Sequence, residues 1–270
     1  AMAYKALTPE QQDRLDPMIT GFNPADMYAV DHIKRVLQLF TGVFSGLGEF
    51  TIHKEFVSSK VAGNIANLTD PALDRIFDFA GEAGLPIILH NDINMPFPKS
   101  GQEPYMLQQL KKLFERHQGT TIIWAHVGLG RVVRPLPEQL AIAEKICTAP
   151  SLKHVYMDIS WDEVAKYATE SPETVKRTAE MFNNYPDRFL FGTDNVAPQS
   201  LDASTAVYHL WDPVWELLTP EAQEMITKGN YERIFDQARK DVRAWEAANN
   251  NQPRQPPKWS PASGYALPKM

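Results

Sequence analysis

Six short runs rich in β-branched and aromatic residues, separated by longer stretches of helical period, constrain this chain more than any other feature. They are Pro17–Phe22, Phe44–Ile52, Leu85–Leu89, Thr120–Ala125, His154–Ile159 and Arg188–Phe191. Most are continuously apolar rather than alternating, the pattern of strands buried on both faces. Such strands, each followed by a helix, build βαβ units and a parallel sheet. The intervening helices carry their own punctuation. Asn23-Pro24-Ala25-Asp26 opens one expected to reach Leu39, with Ala29, Ile33, Val36 and Leu37 on one face. Thr69-Asp70-Pro71 starts a second, and Gly84 stops it. Glu103 to His117 carries Leu107, Leu110, Leu113 and Phe114 at helical spacing. Ser171-Pro172 opens a helix ending near Asn184, and Thr219-Pro220-Glu221 opens a C-terminal pair broken near Gly229.

Composition narrows the class. With 270 residues and 43% apolar side chains, a large core is available without covalent staples. Cys147 is the single cysteine, which excludes an intrachain disulfide and any cysteine-based zinc knuckle. The net charge of −6 argues against a nucleic-acid surface. No run approaches the roughly 18 apolar residues of a membrane span, and no signal-type segment opens the chain. The expectation is a cytoplasmic protein with a small-molecule partner and neither nucleic acid nor membrane. Residues 1–248 read as one barrel-type domain. Residues 249–270 read as a proline-rich, extended or disordered tail, whose Trp259 and Tyr265 leave room for packing on another subunit.

The residues that could carry chemistry follow the apolar runs. Glu49 follows Gly48, His90 closes the third run, His126 follows Ala125, and Asp194 follows Gly192-Thr193. Taken singly, each has an ordinary explanation, since a histidine at a strand end is usually a structural hydrogen-bonder and an aspartate after Gly-Thr a helix cap. Four ionisable residues after four buried strands need a shared one. At the carboxyl ends of barrel strands they would converge on one point. Imidazole and carboxylate together suit zinc, manganese or iron.

Gly48-Glu49, Leu89-His90, Ala125-His126-Val127-Gly128 and Phe191-Gly192-Thr193-Asp194 resemble the metal-dependent amidohydrolase superfamily, in its amidohydrolase 2 branch. The stretch Lys228-Gly229-Asn230-Tyr231-Glu232-Arg233-Ile234-Phe235 is similar to the last barrel helix of that branch. The resemblance covers about Pro17 to Phe235. It implies a TIM-type (β/α)8 barrel, of which about six strands are visible. It also implies roles: His90 and His126 as metal ligands, His126 also polarising an oxyanion, and Asp194 as ligand and proton shuttle for the attacking water. Glu49 becomes a bridging ligand or a partner of the ligands. The implied cofactor is a divalent metal, zinc first, with manganese or iron as alternatives.

One departure stands out. The superfamily's His-x-His at the end of strand one is absent, since no two of the seven histidines stand two apart. Pro17–Phe22 then reads as strand three, and the first two strands are expected upstream of Ala1. A six-strand sheet leaves open edges, so a cover by the chain's own arm or by a second copy, and hence a homo-oligomer, is expected. The substrate-binding candidates are His53, Lys54, Arg131 and Trp161, with Met95–Glu103 as a lid. Asn91 and Asp92 read first as a turn, with a partner of His90 as the second choice. Cys147 reads as buried filler, His117 as a helix-dipole partner, and His32 as surface. The function expected is metal-dependent hydrolysis of a small polar substrate. The alternatives are non-oxidative decarboxylation at the same site and a catalytically incomplete barrel fragment. A TatD-type nuclease is disfavoured by the acidic charge.

Overall fold

A computed structural model describes residues 1–55, 66–95 and 104–249. Most of the expected lid (96–103) and the tail from 250 onward lie outside the described residues. Six strands form one sheet: β1 (Met18–Ile19), β2 (Gly46–His53), β3 (Ile87–Asn91), β4 (Ile122–Trp124), β5 (Val155–Asp158) and β6 (Phe189–Leu190). Every neighbouring pair is parallel, and the spatial order equals the chain order. The six apolar runs thus became the six strands; β1, β4, β5 and β6 are shorter than their runs, β2 ends one residue past its run at His53, and β3 two residues past at Asn91.

The helices are α1 (Met2–Lys5), α2 (Pro9–Gln12), α3 (Ala29–Leu39), α4 (Pro71–Ala83), α5 (Leu107–Arg116) and α6 (Gln139–Thr148). They continue with α7 (Asp162–Ala168), α8 (Pro172–Asn184), α9 (Leu201–Leu210), α10 (Asp212–Trp215), α11 (Pro220–Glu224) and α12 (Asn230–Asn249). Their ends follow the capping chemistry. Asp70 accepts from the Ala72 amide, Pro71 takes the first turn, and Gly84 closes α4 at φ +69°. Ser171 and Thr219 cap α8 and α11 through their hydroxyls. The helix expected from Asn23 begins only at Ala29. The side chains of Asn23 and Asp26 instead accept from the amides of Ala25 and Tyr28, which makes two local turns. Likewise α5 begins at Leu107 rather than Glu103.

Strand alternation sorts the core. Leu47, Phe50, Leu89 and Trp124 pack outward against α3, α4 and α5. Met157 and Phe189 pack against Phe182, Trp211 and Trp215. The inner face carries Met18, Ile88, Ile123, Tyr156 and Leu190, which close on Ile234 and Phe235 of α12. By the period of two, His90 shares the face of Ile88, and Asp158 that of Tyr156.

The outer strands β1 and β6 do not pair with each other. One helix bridges them instead. Asn230, at the start of α12, donates to the carbonyls of Pro186 and Phe189 at 2.7 and 2.8 Å. Further along, Arg239 grips Asp16, just before β1, at 2.8 and 2.9 Å, and Tyr231 donates to the same carboxylate at 2.5 Å. The Asp16 side chain is 2% exposed. Burial pushes its carboxyl up, but hydrogen bonds from Arg239, Tyr231 and Ser45 outweigh this and hold it below the usual range.

A stability prediction follows for Asp16→Asn. Breaking a buried pair costs about 3–5 kcal/mol, and the partial exposure of Arg239 lowers the expectation to about 1–3 kcal/mol at pH 7. Because the folded value lies below the unfolded one, the aspartate's contribution is present above about pH 4 and vanishes as pH falls through the folded value. Urea titrations should therefore show wild type and variant separated at pH 7 and converging in acid. A constant gap down to pH 2 would contradict the assignment.

Candidate metal centre

The centre is assembled from adjacent parallel strands. Between Leu47 and Phe50 the register of β2 against β3 slips by one residue. Such a bulge re-aims a side chain, here Glu49. Beyond it Glu49, Thr51 and His53 alternate with the buried Phe50 and Ile52. Glu49 therefore stands within β2 rather than at its end, and the bulge, not strand termination, presents it to the inner face. His90 comes from the end of β3, and His126 from a tight turn over Ala125–Gly128 after β4.

Backbone strain concentrates in these loops. The described non-glycine residues with positive φ are Glu55, His126, Val127, Trp161, Asp194 and Ala197, all after the carboxyl ends of β2, β4, β5 and β6. A β-branched residue such as Val127 at φ +52° is a costly outlier, about 1–3 kcal/mol. It is held by its carbonyl accepting from Gln139 Nε2 at 3.1 Å and by the His126 amide donating to Asp158 at 3.2 Å.

One ligand atom from each of Glu49, His90 and His126 lies within 4.8 Å of the other two. His90 Nδ1 stands 2.9 Å from Glu49 Oε1, and His126 Nε2 stands 3.6 Å from Glu49 Oε2. Both imidazoles are 1% exposed. Burial alone would raise the Glu49 carboxyl, but the two histidines beside it pull it well below the usual range. Burial alone would lower His90, yet its bonds to Asp92 and Glu49 raise it above the ordinary imidazole value.

Hydrogen-bond direction fixes what each ring offers. Ser160 Oγ lies 2.6 Å from Asp158 Oδ2, and since a carboxylate only accepts, the hydroxyl proton goes to Asp158. The same oxygen, 3.1 Å from His126 Nδ1, must then accept, so Nδ1 carries the ring proton. Nε2 is left with its lone pair. It is buried and has no hydrogen-bond partner. Glu49 Oε2 at 3.6 Å and Asp194 Oδ2 at 3.9 Å face it. A lone pair among carboxylate oxygens is repulsive unless a cation or a proton lies between them. Asp92 does for His90 what Asp158 and Ser160 do for His126: its Oδ1 sits 3.1 Å from Nε2, leaving Nδ1 turned to Glu49. Its other oxygen accepts the Glu55 amide at 2.5 Å, tying the loop after β2 to the site. The residues present therefore fit a divalent cation held by Glu49, His90 and His126.

Asp194 borders this cluster without being among its close ligand atoms. Burial, with Glu49 and Asp158 nearby, raises its carboxyl against the opposing pull of His126 and Lys54. It lines a cavity of about 640 Å³ together with Lys54, Arg131 and Trp161. Lys54 Nζ and the Arg131 guanidinium each lie 5.3 Å from the Trp161 ring. His126 meets that ring at 5.1 Å. Three of the four expected substrate contacts are thus brought together. The fourth, His53, is not among the cavity's lining, and its carbonyl accepts the Asp92 amide. Burial pushes the His53 imidazole down. Cys147 is buried filler as expected, its thiol raised to about 12 by burial. His117 is more than a dipole partner, since its two nitrogens meet Asp78 and Asp74 at 3.0 and 2.9 Å.

An amidohydrolase family model, Amidohydro_2, matches residues 12–237. The chain belongs to the amidohydrolase family. Solved structures bear out the TIM-barrel fold class of this amidohydrolase, and at these identities they speak to fold alone. An uncharacterised TIM-barrel protein from Bordetella bronchiseptica is 17% identical, with a TM-score of 0.56 over 88% of this chain and 72% of its own. An amidohydrolase from Burkholderia multivorans with bound zinc is 14% identical, with a TM-score of 0.51 over 84% of this chain and 75% of its own. A dihydroorotase from Campylobacter jejuni is 12% identical, with a TM-score of 0.50 over 82% and 65%. None of the curated proteins matches.

Asp92 acts as the partner of His90 rather than as the turn residue expected first, and Asp158 and Ser160 carry no such signal in the sequence beyond the position of Asp158 at a strand end on the inner-face period. Ser160→Ala should lower zinc affinity about 10-fold, because the ring proton of His126 loses its nearest acceptor and keeps only the longer contacts to the Ser160 carbonyl at 3.3 Å and Asp158 at 3.4 Å. Calorimetric zinc titration, with far-ultraviolet dichroism to confirm folding, checks this. An unchanged affinity in a folded variant would remove Ser160 from the centre.

Proposed function

We propose that this amidohydrolase binds a divalent cation, zinc first, through Glu49, His90 and His126, and hydrolyses a small polar substrate with Asp194 as the proton carrier. The buried, unpartnered Nε2 of His126, facing two carboxylates, carries the reading. Family membership and a zinc-containing neighbour of the same fold support it. A bound divalent cation would supply Lewis acidity and bring the pKa of a coordinated water to about 7.

The chain's own residues do the rest. Asp194, 3.9 Å from His126 Nε2 and partly open to the cavity, is placed to accept the water's proton and return it to the leaving group. Lys54 and Arg131 flank Trp161, so an anionic group on the substrate would meet two cations and a flat apolar wall together, in competition with Glu49 at 3.8 Å from Lys54 and Glu163 at 3.7 Å from Arg131. The same pair of cations supports a second reading. In non-oxidative decarboxylation the carbon–carbon bond to a carboxylate breaks, carbon dioxide leaves, and a proton from an acid such as Asp194 goes to the carbon. Carbon dioxide release against consumption of water separates the two.

Metal analysis after zinc loading and dialysis should give one equivalent for wild type and a near-complete loss for His126→Ala. Equal zinc in both would refute the assignment. Once a substrate is found among small anionic esters, lactones, amides and carboxylic acids, Lys54→Ala and Arg131→Ala should each raise KM about 5- to 50-fold with a smaller change in kcat, the sign of lost uniform binding. A fall in kcat at unchanged KM would place these cations elsewhere in the reaction.

A further inference from the structure

The segment that carries Arg131 has neither helix nor strand between Gly128 and Gln139, so single contacts set its shape. Leu129 and Val133, 5% and 1% exposed, fix where it leaves and rejoins the core. Between them the Arg131 side chain stands largely in solvent. Two bonds reach this tip from other elements. The Tyr167 hydroxyl of α7 donates to the Gly130 carbonyl at 2.8 Å, and the Val132 amide donates to Glu55 Oε1 at 2.5 Å. An amide donating to a carboxylate is a charge-assisted bond, stronger than one between neutral groups.

Glu55 itself lies just past β2 at φ +45°, a region that non-glycine residues seldom occupy. Its backbone amide is the one that Asp92 accepts, and Asp92 turns its other oxygen to His90. One residue thus faces two ways, with its main chain toward the metal centre and its side chain toward the Arg131 loop. Gly130 is fitted to this contact. The three atoms nearest to a Cβ built at position 130 all belong to Glu55, with Oε1 closest at 2.5 Å. Gly130 does not occupy the left-handed region. What it supplies is room for the Glu55 carboxylate beside the Val132 amide.

We propose that Glu55 is a positioning residue: its carboxylate latches the loop bearing Arg131 to the loop after β2, and so holds Arg131 beside Trp161 on the wall of the cavity that Asp194 also lines. What Arg131 grips rests on the hydrolase reading. The latch does not, since none of its bonds involves a cation.

Amide hydrogen exchange, read by mass spectrometry on the full chain with and without zinc, measures the bond itself. In Glu55→Ala, exchange over Leu129–Val133 should quicken about 10-fold or more, with β3 and zinc affinity within about threefold of wild type, because the Glu55 backbone still serves Asp92. Glu55→Gln keeps an acceptor oxygen and should restore slow exchange. Gly130→Ala should loosen the loop as Glu55→Ala does, and should add nothing in the Glu55→Ala background, where the obstructing carboxylate is gone. On a substrate for which Arg131→Ala raises KM, Glu55→Ala should raise it too, at nearly unchanged kcat. Unchanged loop exchange in Glu55→Ala, equal quickening throughout the sheet, or an additive loss in the double variant would overturn the latch. An unmoved KM on that substrate would overturn its role in holding Arg131. If Glu55→Ala does not fold, Gly130→Ala decides: unchanged loop exchange overturns the proposal. Failure of the zinc assignment would leave the exchange results as they stand.

Discussion

One carboxylate brought up against two buried imidazoles is the arrangement on which the rest of this structure turns. Glu49 would be costly to bury alone; its hydrogen bond to His90 offsets part of that cost, while the lone pair of His126 beside it calls for a cation. The contacts exist only because three parallel segments stand side by side: β2 with its bulge, β3, and the turn after β4. Each imidazole is oriented from behind by a carboxylate, Asp92 for His90 and Asp158 through Ser160 for His126. His126 thereby presents its lone pair inward and its proton outward, and a bound cation would ask the same of His90, with Asp92 ready to take the outward proton.

The fold bears the cost of that convergence in identifiable places. Positive-φ residues crowd the loops at the carboxyl ends of the strands, where the side chains must be aimed. At the opposite end, α12 joins the two outer strands through Asn230 and the Asp16–Arg239 pair, while Ile234 and Phe235 fill the space between them. A sheet whose edges do not meet is thus tied by a helix. Rigidity at one end and strain at the other is the division of labour expected of a barrel-type scaffold, whose reactive groups stand at the strands' carboxyl ends.

Much of this was legible in the chain. Apolar runs located all six strands, most of them continuous because strands buried on both faces leave no polar alternation, with β2 the alternating exception. Capping at Asp70, Ser171 and Thr219 set helix starts, since these residues satisfy free backbone amides wherever they occur. His90 and His126 were legible as residues closing apolar runs. Illegible were features that depend on register and on neighbours distant in sequence. The bulge that turns Glu49 inward is a relation between β2 and β3, not a property of Gly48-Glu49. The bond from His126 to Ser160 joins residues 34 apart. Asn23-Pro24-Ala25-Asp26 carries helix-start residues, yet their side chains capped local turns first. Nothing near His53 in sequence marked it as lying outside the cavity that Lys54 lines.

The most direct measurement is anomalous diffraction from zinc-loaded crystals, collected on either side of the zinc absorption edge. A single strong peak within coordination distance of Glu49 Oε2, His90 Nδ1 and His126 Nε2 is the expected result. A peak bound elsewhere, or occupied zinc with His126 Nε2 still free of it, would contradict the proposed centre and with it the hydrolytic chemistry assigned to these residues.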